Sequence, residues 1–255
     1  MPLTLTALSG IPLVKPGDDL AQIILSALSY SQISLQDGDV LVLAQKIVSK
    51  AEGRLVNLND ITPSLKAETL GIETEKDPRL VELILSESKE ILRTRLGLII
   101  VEHNLGFVCA NAGIDHSNVR GDGGNPDDWV LLLPENSDSS ADALRTALEL
   151  ETGAQLGVMI IDSHGRAWRL GTVGVSIGIS GVPGVADLRG EQDLFDYELQ
   201  VTVVGVADEL AAAASLMMGQ AAEGTPIVHA RGLPYPLREA ELPELLRTKD
   251  KDMFR

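Results

Sequence analysis

The chain has 255 residues, 44% hydrophobic and 23% charged, the make-up of a folded globular protein long enough to bury a substantial core. A formal net charge of -16 and an aromatic content of 3% exclude a broad nucleic-acid or anionic-membrane surface, because neither bulk positive charge nor stacking platforms are supplied. A lone cysteine, Cys109, rules out an intrachain disulfide, and no apolar run reaches the ~20 residues that span a bilayer, so a cytoplasmic location is expected.

Residues 1–8, MPLTLTAL, alternate like a strand. The next segment, GDDLAQIILSALSYS, spaces Leu20, Ile23, Ile24 and Leu28 as a helix, with Asp18 or Asp19 as its N-cap. DGDVLVLAQKIVSKAEGRLV reads as a turn, a buried strand ending near Ala44, a short helix and a second strand from Arg54. Helices are expected over 62–72 and 77–89, the latter opening at Asp77-Pro78, then strands at LGLIIV, FVCAN and WVLLLP. SDSSADALRTALELETG is a capped helix closed by Gly153, and LGVMIIDS a strand. Glycines crowd residues 170–190, which marks tight turns or close backbone approach. LQVTVVGVA then reads as a strand, DELAAAASLMMGQAAEG as a helix and TPIVHARGL as a strand. The alternation predicts an α/β fold, with α+β as the variant, in a single module over 1–255 that has a possible subdomain boundary near 120–128.

Three stretches carry candidate chemistry. Lys46 and Lys50 share a helical face just after a strand end, where nucleotide phosphates commonly bind; the plain alternative is two solvated lysines, and no Walker-type sequence occurs. In NAGIDHSNV, Asp115 offers a hard oxygen ligand and Ser117 and Asn118 neutral hydrogen-bonding groups, although such turns also form for local backbone reasons. In VMIIDSHGRAWR, a strand is expected to end at Asp162-Ser163, with Arg166 and Arg169 able to grip a phosphate or carboxylate; the alternative is an ordinary hairpin. His103 and His164 read as too scattered to form a zinc cluster with Cys109, and His229 reads as packed or surface. The glycines of 121–124 suggest a mobile loop that closes over substrate.

Taken in order, DGDVLVLAQKIVSKAEGR, NAGIDHSNV, IDSHGRAWRLG, GVADELAAAASLMMGQAAEGTPIVHARGL and the terminal KDKDMFR resemble the coenzyme F420-0:L-glutamate ligase (gamma-glutamyl ligase) family. The resemblance runs from GIPLVKPGDDL to the last residue, and without a nitroreductase-like extension it points to the single-module form. It implies a GTP-dependent ligase that joins L-glutamate to the terminal carboxylate of the deazaflavin precursor coenzyme F420-0 through an acyl phosphate, in an intertwined homodimer, with two Mg²⁺ or Mn²⁺ ions and K⁺ as cofactors. It further implies nucleotide contacts from Ile11, Pro12, Leu13, Val14, Gln45, Lys46, Lys50, Asn118, Met218, Gly219, Gln220, Ala221, Ala222, Glu223, Gly224 and Thr225, and metal contacts from Asp115, Asp162, Ser163 and Gln220. Gln220 stands where family members can carry glutamate, and Gly174 where a polar Asn or Asp is expected. Those departures leave two alternatives: a related amide ligase acting on another acid, or a catalytically silent nucleotide-binding oligomer.

Overall fold

The structure, a computed structural model, describes residues 2–253, so Met1 and the last two residues of KDKDMFR, Phe254 and Arg255, lie outside the described residues. In chain order the elements are β1 (Thr4–Ala7), α1 (Leu20–Tyr30), β2 (Val40–Ala44), α2 (Gln45–Ala51), β3 (Leu55–Asn57), α3 (Leu65–Thr74), α4 (Pro78–Ser86), β4 (Ser88–Arg95), β5 (Leu98–His103) and β6 (Val108–Ala110). Then come β7 (Trp129–Leu131), α5 (Ser137–Thr152), β8 (Gly157–Gly165), β9 (Thr172–Ser180), β10 (Ala186–Asp187), β11 (Val203–Val204), α6 (Val206–Met218) and β12 (Ile227–Arg231). This is the expected α/β class.

The central sheet has five strands in the order β1-β12-β2-β8-β9; β2 and β8 run parallel and the other neighbours antiparallel. Both faces are buried, which explains why β2 and β8 read as unbroken apolar runs. Alternation still sorts their side chains. Leu41, Leu43, Val158 and Ile160 join the core under α1, α2 and α5, whereas Val40, Val42, Met159 and Ile161 pack against Ala207, Leu210, Ala211 and Ala214 of α6. The first of these cores draws residues from both sides of 120–128, from Leu8 to Leu242. Among the described residues, no helix is long and apolar enough to cross a membrane.

Local signals set the helix ends. The Asp19 side chain accepts from Gln22 N to start α1, Asp77 caps α4 ahead of Pro78, and Gly153 closes α5 in a left-handed conformation. Several expected boundaries moved. The helix expected over 77–89 stops at Ser86, and SKEILRTR becomes β4, a strand whose mostly exposed charged residues hide its alternation. The strand expected over LQVTVVGVA shrinks to Val203–Val204, because Val206 and Ala207 are the buried first turn of α6. That helix ends at Met218 rather than running through Gly224, since Gly219 leaves helical geometry at φ 74°.

Within the glycine-rich stretch, Gly174 and Gly178 lie inside β9 and admit helices: a Cβ at Gly174 would fall 2.5 Å from the Ala211 carbonyl oxygen, and one at Gly178 2.5 Å from Ser137. A polar Asn or Asp at 174 is therefore excluded by packing against α6, and the position does not face the cleft described below. His229 is packed: its Nε2 lies 2.9 Å from the buried Asp39 carboxylate, which Arg231 also grips. Burial opposes ionisation of Asp39, but the Arg231 and His229 contacts outweigh it and hold the carboxyl below its ordinary range. In the 121–124 loop, a Cβ on Gly121 would fall 2.1 Å from the Trp129 indole, whose Nε1 donates to Gly123 O at 3.0 Å, so the ring packs against the start of this loop.

Candidate functional site

Strand direction decides which segments meet. β1, β2 and β8 finish at one edge of the sheet, and the antiparallel β12 and β9 start there. That edge therefore collects residues 8–14, the start of α2, the residues from Asp162 onward and the 219–226 loop; Leu8 N donates to Ile227 O and Ala44 N to Pro226 O to tie them down. Parallel pairing of Ala44 with Ile161 brings Gln45 beside Asp162, the place where α/β sheets bind ligands. The result is a cleft of about 660 Å³, within the range of small-molecule sites.

Every residue expected at the nucleotide and metal sites lines this cleft: Ile11, Pro12, Leu13, Val14, Gln45, Lys46, Lys50, Asn118, the run from Met218 to Thr225, Asp115, Asp162 and Ser163. Asp115 arrives from a fifth direction. After β6 the backbone turns through left-handed Ala112 (φ 53°) and Gly113 (φ 65°), and Asp115 then exchanges two backbone hydrogen bonds with Leu131 of β7. Its carboxylate accepts from Gln45 Nε2 at 2.7 Å and pairs with Lys46 Nζ at 3.1 Å. Burial raises the Asp115 pKa; the Asp162 charge adds to that, and Lys46 offsets part of it. Lys50 Nζ donates to the Asn118 carbonyl at 2.7 Å, and the Asn118 amide in turn donates to Ala221 O at 2.9 Å. Burial, then repulsion from Lys46, lowers the Lys50 pKa. Two cationic and two anionic side chains thus share one desolvated wall.

The Gln220 amide is oriented by two serines. Ser163 Oγ donates to its Oε1 at 3.0 Å, and its Nε2 donates to Ser215 Oγ at 3.0 Å. Ser215 lines the cleft from an alanine-rich helix, where the 3.6-residue period marks core and gives no signal for one polar position. Among the described residues no three His, Cys, Asp or Glu side chains form a metal cluster, so a zinc cage is absent. Two carboxylates, an amide oxygen and a hydroxyl suit a hard cation that fills its shell with phosphate oxygens and water, as Mg²⁺ does.

The strand carrying Asp162 continues to Gly165, so Ser163 and His164 belong to β8 and the hairpin turn is residues 166–171. His103 and His164 are not scattered. The Phe107 ring stands 5.2 Å from one and 5.3 Å from the other, and His164 Nε2 comes within 3.0 Å of Asp162 Oδ2, misaligned for a hydrogen bond. Cys109 lies nearby and is inert, because burial pushes its thiol up to about 12.

Burial pushes the His103 imidazole down to about 4, with electrostatic interactions with His164 and the Arg54 guanidinium adding to the effect. Its Nδ1 accepts from Leu105 N at 3.0 Å, so the neutral ring carries its proton on Nε2. The unfolded chain binds a proton near pH 6.5 and the folded one only near 4. The stability that the neutral ring provides is therefore complete above pH 6.5 and falls as pH drops toward 4, by roughly 3 kcal/mol across that window. His103→Gln should flatten the difference in urea midpoint between pH 7 and pH 4.5; an unchanged difference would exclude His103 as its source.

The F420-0:Gamma-glutamyl ligase family model matches residues 10–232 of the chain. A protein of Methanothermobacter thermautotrophicus named coenzyme F420:L-glutamate ligase is 46% identical over 257 residues, covering 100% of both chains. Proteins of the same name from Methanopyrus kandleri and Archaeoglobus fulgidus are 48% and 42% identical, over 95% and 96% of this chain and 93% and 94% of their own lengths.

Proposed function

Because the chain belongs to the F420-0:gamma-glutamyl ligase family, we propose that it joins L-glutamate to coenzyme F420-0 through an amide bond to the glutamate nitrogen, with GTP as the phosphoryl donor. The observation that carries this reading is the convergence of Lys46, Lys50, Asp115, Asp162 and the 218–225 segment on one cleft from four separate parts of the chain.

In the proposed reaction a carboxylate oxygen of the acceptor attacks the γ-phosphorus, the bond to GDP breaks, and an acyl phosphate forms. The glutamate amine then attacks the acyl carbon, phosphate leaves and the ammonium proton passes to solvent. Lys46 and Lys50 hold the phosphate oxygens and neutralise their charge, while Asn118, Ile11 to Val14 and the main chain of 218–225 hold the nucleotide. Asp115, Asp162, Ser163 and Gln220 would hold Mg²⁺ or Mn²⁺, which when bound would, together with K⁺, offset charge developing on the transferring phosphoryl group. Gln220 contributes an oxygen without charge, so a second divalent ion would bind there more weakly than beside glutamate or would be completed by another acid.

Purified protein incubated with F420-0, GTP, Mn²⁺, K⁺ and L-glutamate should convert the acceptor to a product heavier by one glutamyl residue. No such product under varied metal and potassium conditions overturns the proposal. GDP with Mn²⁺ at ~100 times Kd should add ~2.7 kcal/mol to stability. We also assign a homodimer, supported by the exposed Leu194, Phe195, Tyr197 and Val201 between β10 and β11, an apolar patch that suits a second copy. Light scattering should give a mass near twice 27.2 kDa, and a monomer at all concentrations overturns it.

A further inference from the structure

The tip of the β8–β9 hairpin carries two arginines and a tryptophan to which the proposed chemistry assigns no role. Gly165 and Thr172, the last pair of that ladder, both line the cleft, so residues 166–171 rise directly from its rim. Trp168 is 88% exposed at this rim, in a chain that has only 2 tryptophans. It sits there with φ 64°, a backbone conformation that bulky residues rarely adopt. Arg166 Nη1 donates to Gly171 O at 3.3 Å and braces the turn, while Arg169 is exposed, and no acidic residue occurs between Ser163 and Thr172. On a chain of net charge -16, that is a local reversal of sign.

Sheet order separates this tip from the nucleotide segments. Residues 11–14 and 45–50 follow β1 and β2, whereas the hairpin joins β8 and β9 at the opposite margin of the sheet, and of the 218–225 loop Gln220 reaches Ser163 near the root of the hairpin. In-line transfer sets the attacking acceptor oxygen and the leaving donor oxygen on opposite sides of the phosphorus, so donor and acceptor approach from different sides of the cleft. An exposed indole stacks on a flat aromatic system, and a guanidinium pairs with an anionic tail.

We propose that the hairpin tip is the arm that holds the acceptor: Trp168 stacks on its planar aromatic ring, Arg169 pairs with its anionic tail, and Arg166 keeps the turn in shape. This rests on the ligase reading above, in which the acceptor is a deazaflavin that ends in a carboxylate.

The test is initial-rate kinetics of glutamyl addition to F420-0 with Trp168→Ala, Trp168→Phe and Arg169→Gln, alongside light scattering of each variant. Trp168→Ala and Arg169→Gln should each raise the acceptor KM about tenfold or more, with the KM values for GTP and glutamate unchanged, and Trp168→Phe should recover most of the loss. An active wild type whose variants keep the acceptor KM overturns this inference and leaves the ligase reading standing. A raised GTP KM would give the tip to the nucleotide, and a changed molecular mass would give it to a second copy; either overturns it. A wild type that neither binds nor glutamylates F420-0 overturns both readings together.

Discussion

Asp115→Asn is expected to lower turnover about a hundredfold or more while leaving the thermal midpoint unchanged or slightly raised. The two effects separate because the carboxylate works against folding. Burial and the Asp162 charge push its pKa up, so at neutral pH the ionised form is held in a place that disfavours it, and Lys46 repays only part of that. An amide of the same shape keeps an acceptor for Gln45 Nε2, and the backbone pair with Leu131 does not involve the side chain. What it loses is the charge that attracts a divalent cation. Mn²⁺ titration in the presence of GDP should show the same loss in affinity. Retention of more than about a tenth of wild-type turnover would remove Asp115 from the metal site.

Gly174→Asn should destabilise the fold by about 3 kcal/mol or more, measured as the urea midpoint. A Cβ there meets the Ala211 carbonyl and Ser215 Cβ at 2.5 Å, and α6 cannot retreat without lifting Ala207, Leu210, Ala211 and Ala214 from the sheet. Displacing α6 also moves Ser215 and the loop that follows Met218, so nucleotide binding should weaken in parallel. A wild-type midpoint in this variant would show that the helix tolerates a side chain at 174 and that the glycine serves some other purpose.

Much of this was readable from residue order. Asp19, Asp77-Pro78 and Gly153 announce their helix boundaries through capping chemistry that depends on neighbours a few positions away. VLVLA and GVMII announce buried strands because both of their faces are apolar. β4 was hidden, since an exposed strand with Lys89, Glu90, Arg93 and Arg95 is stabilised by its pairing with β5 and not by its own pattern. LQVTVVGVA misled in the other direction: β-branched residues favour strands, yet Val206 gains more by burial in the first turn of α6.

The cleft divides the same way. Lys46 and Lys50 follow a strand end and share a helical face, so their candidacy rests on local spacing alone. The stretches around Asp115 and Asp162 carry oxygen ligands that the sequence can name but not pair. His103, Phe107 and His164 are up to 61 positions apart and become neighbours only because β6, which follows Phe107, packs against β8. By itself, the order of residues determined the α/β class, the kind of ligand atoms available and the family. Only the tertiary structure decided that those atoms face one cleft, that Gly174 makes room for a helix, and that an arginine- and tryptophan-bearing hairpin stands at the rim. The physical reason is strand direction: which ends of β1, β12, β2, β8 and β9 share an edge follows from long-range pairing, and no short window of sequence contains it.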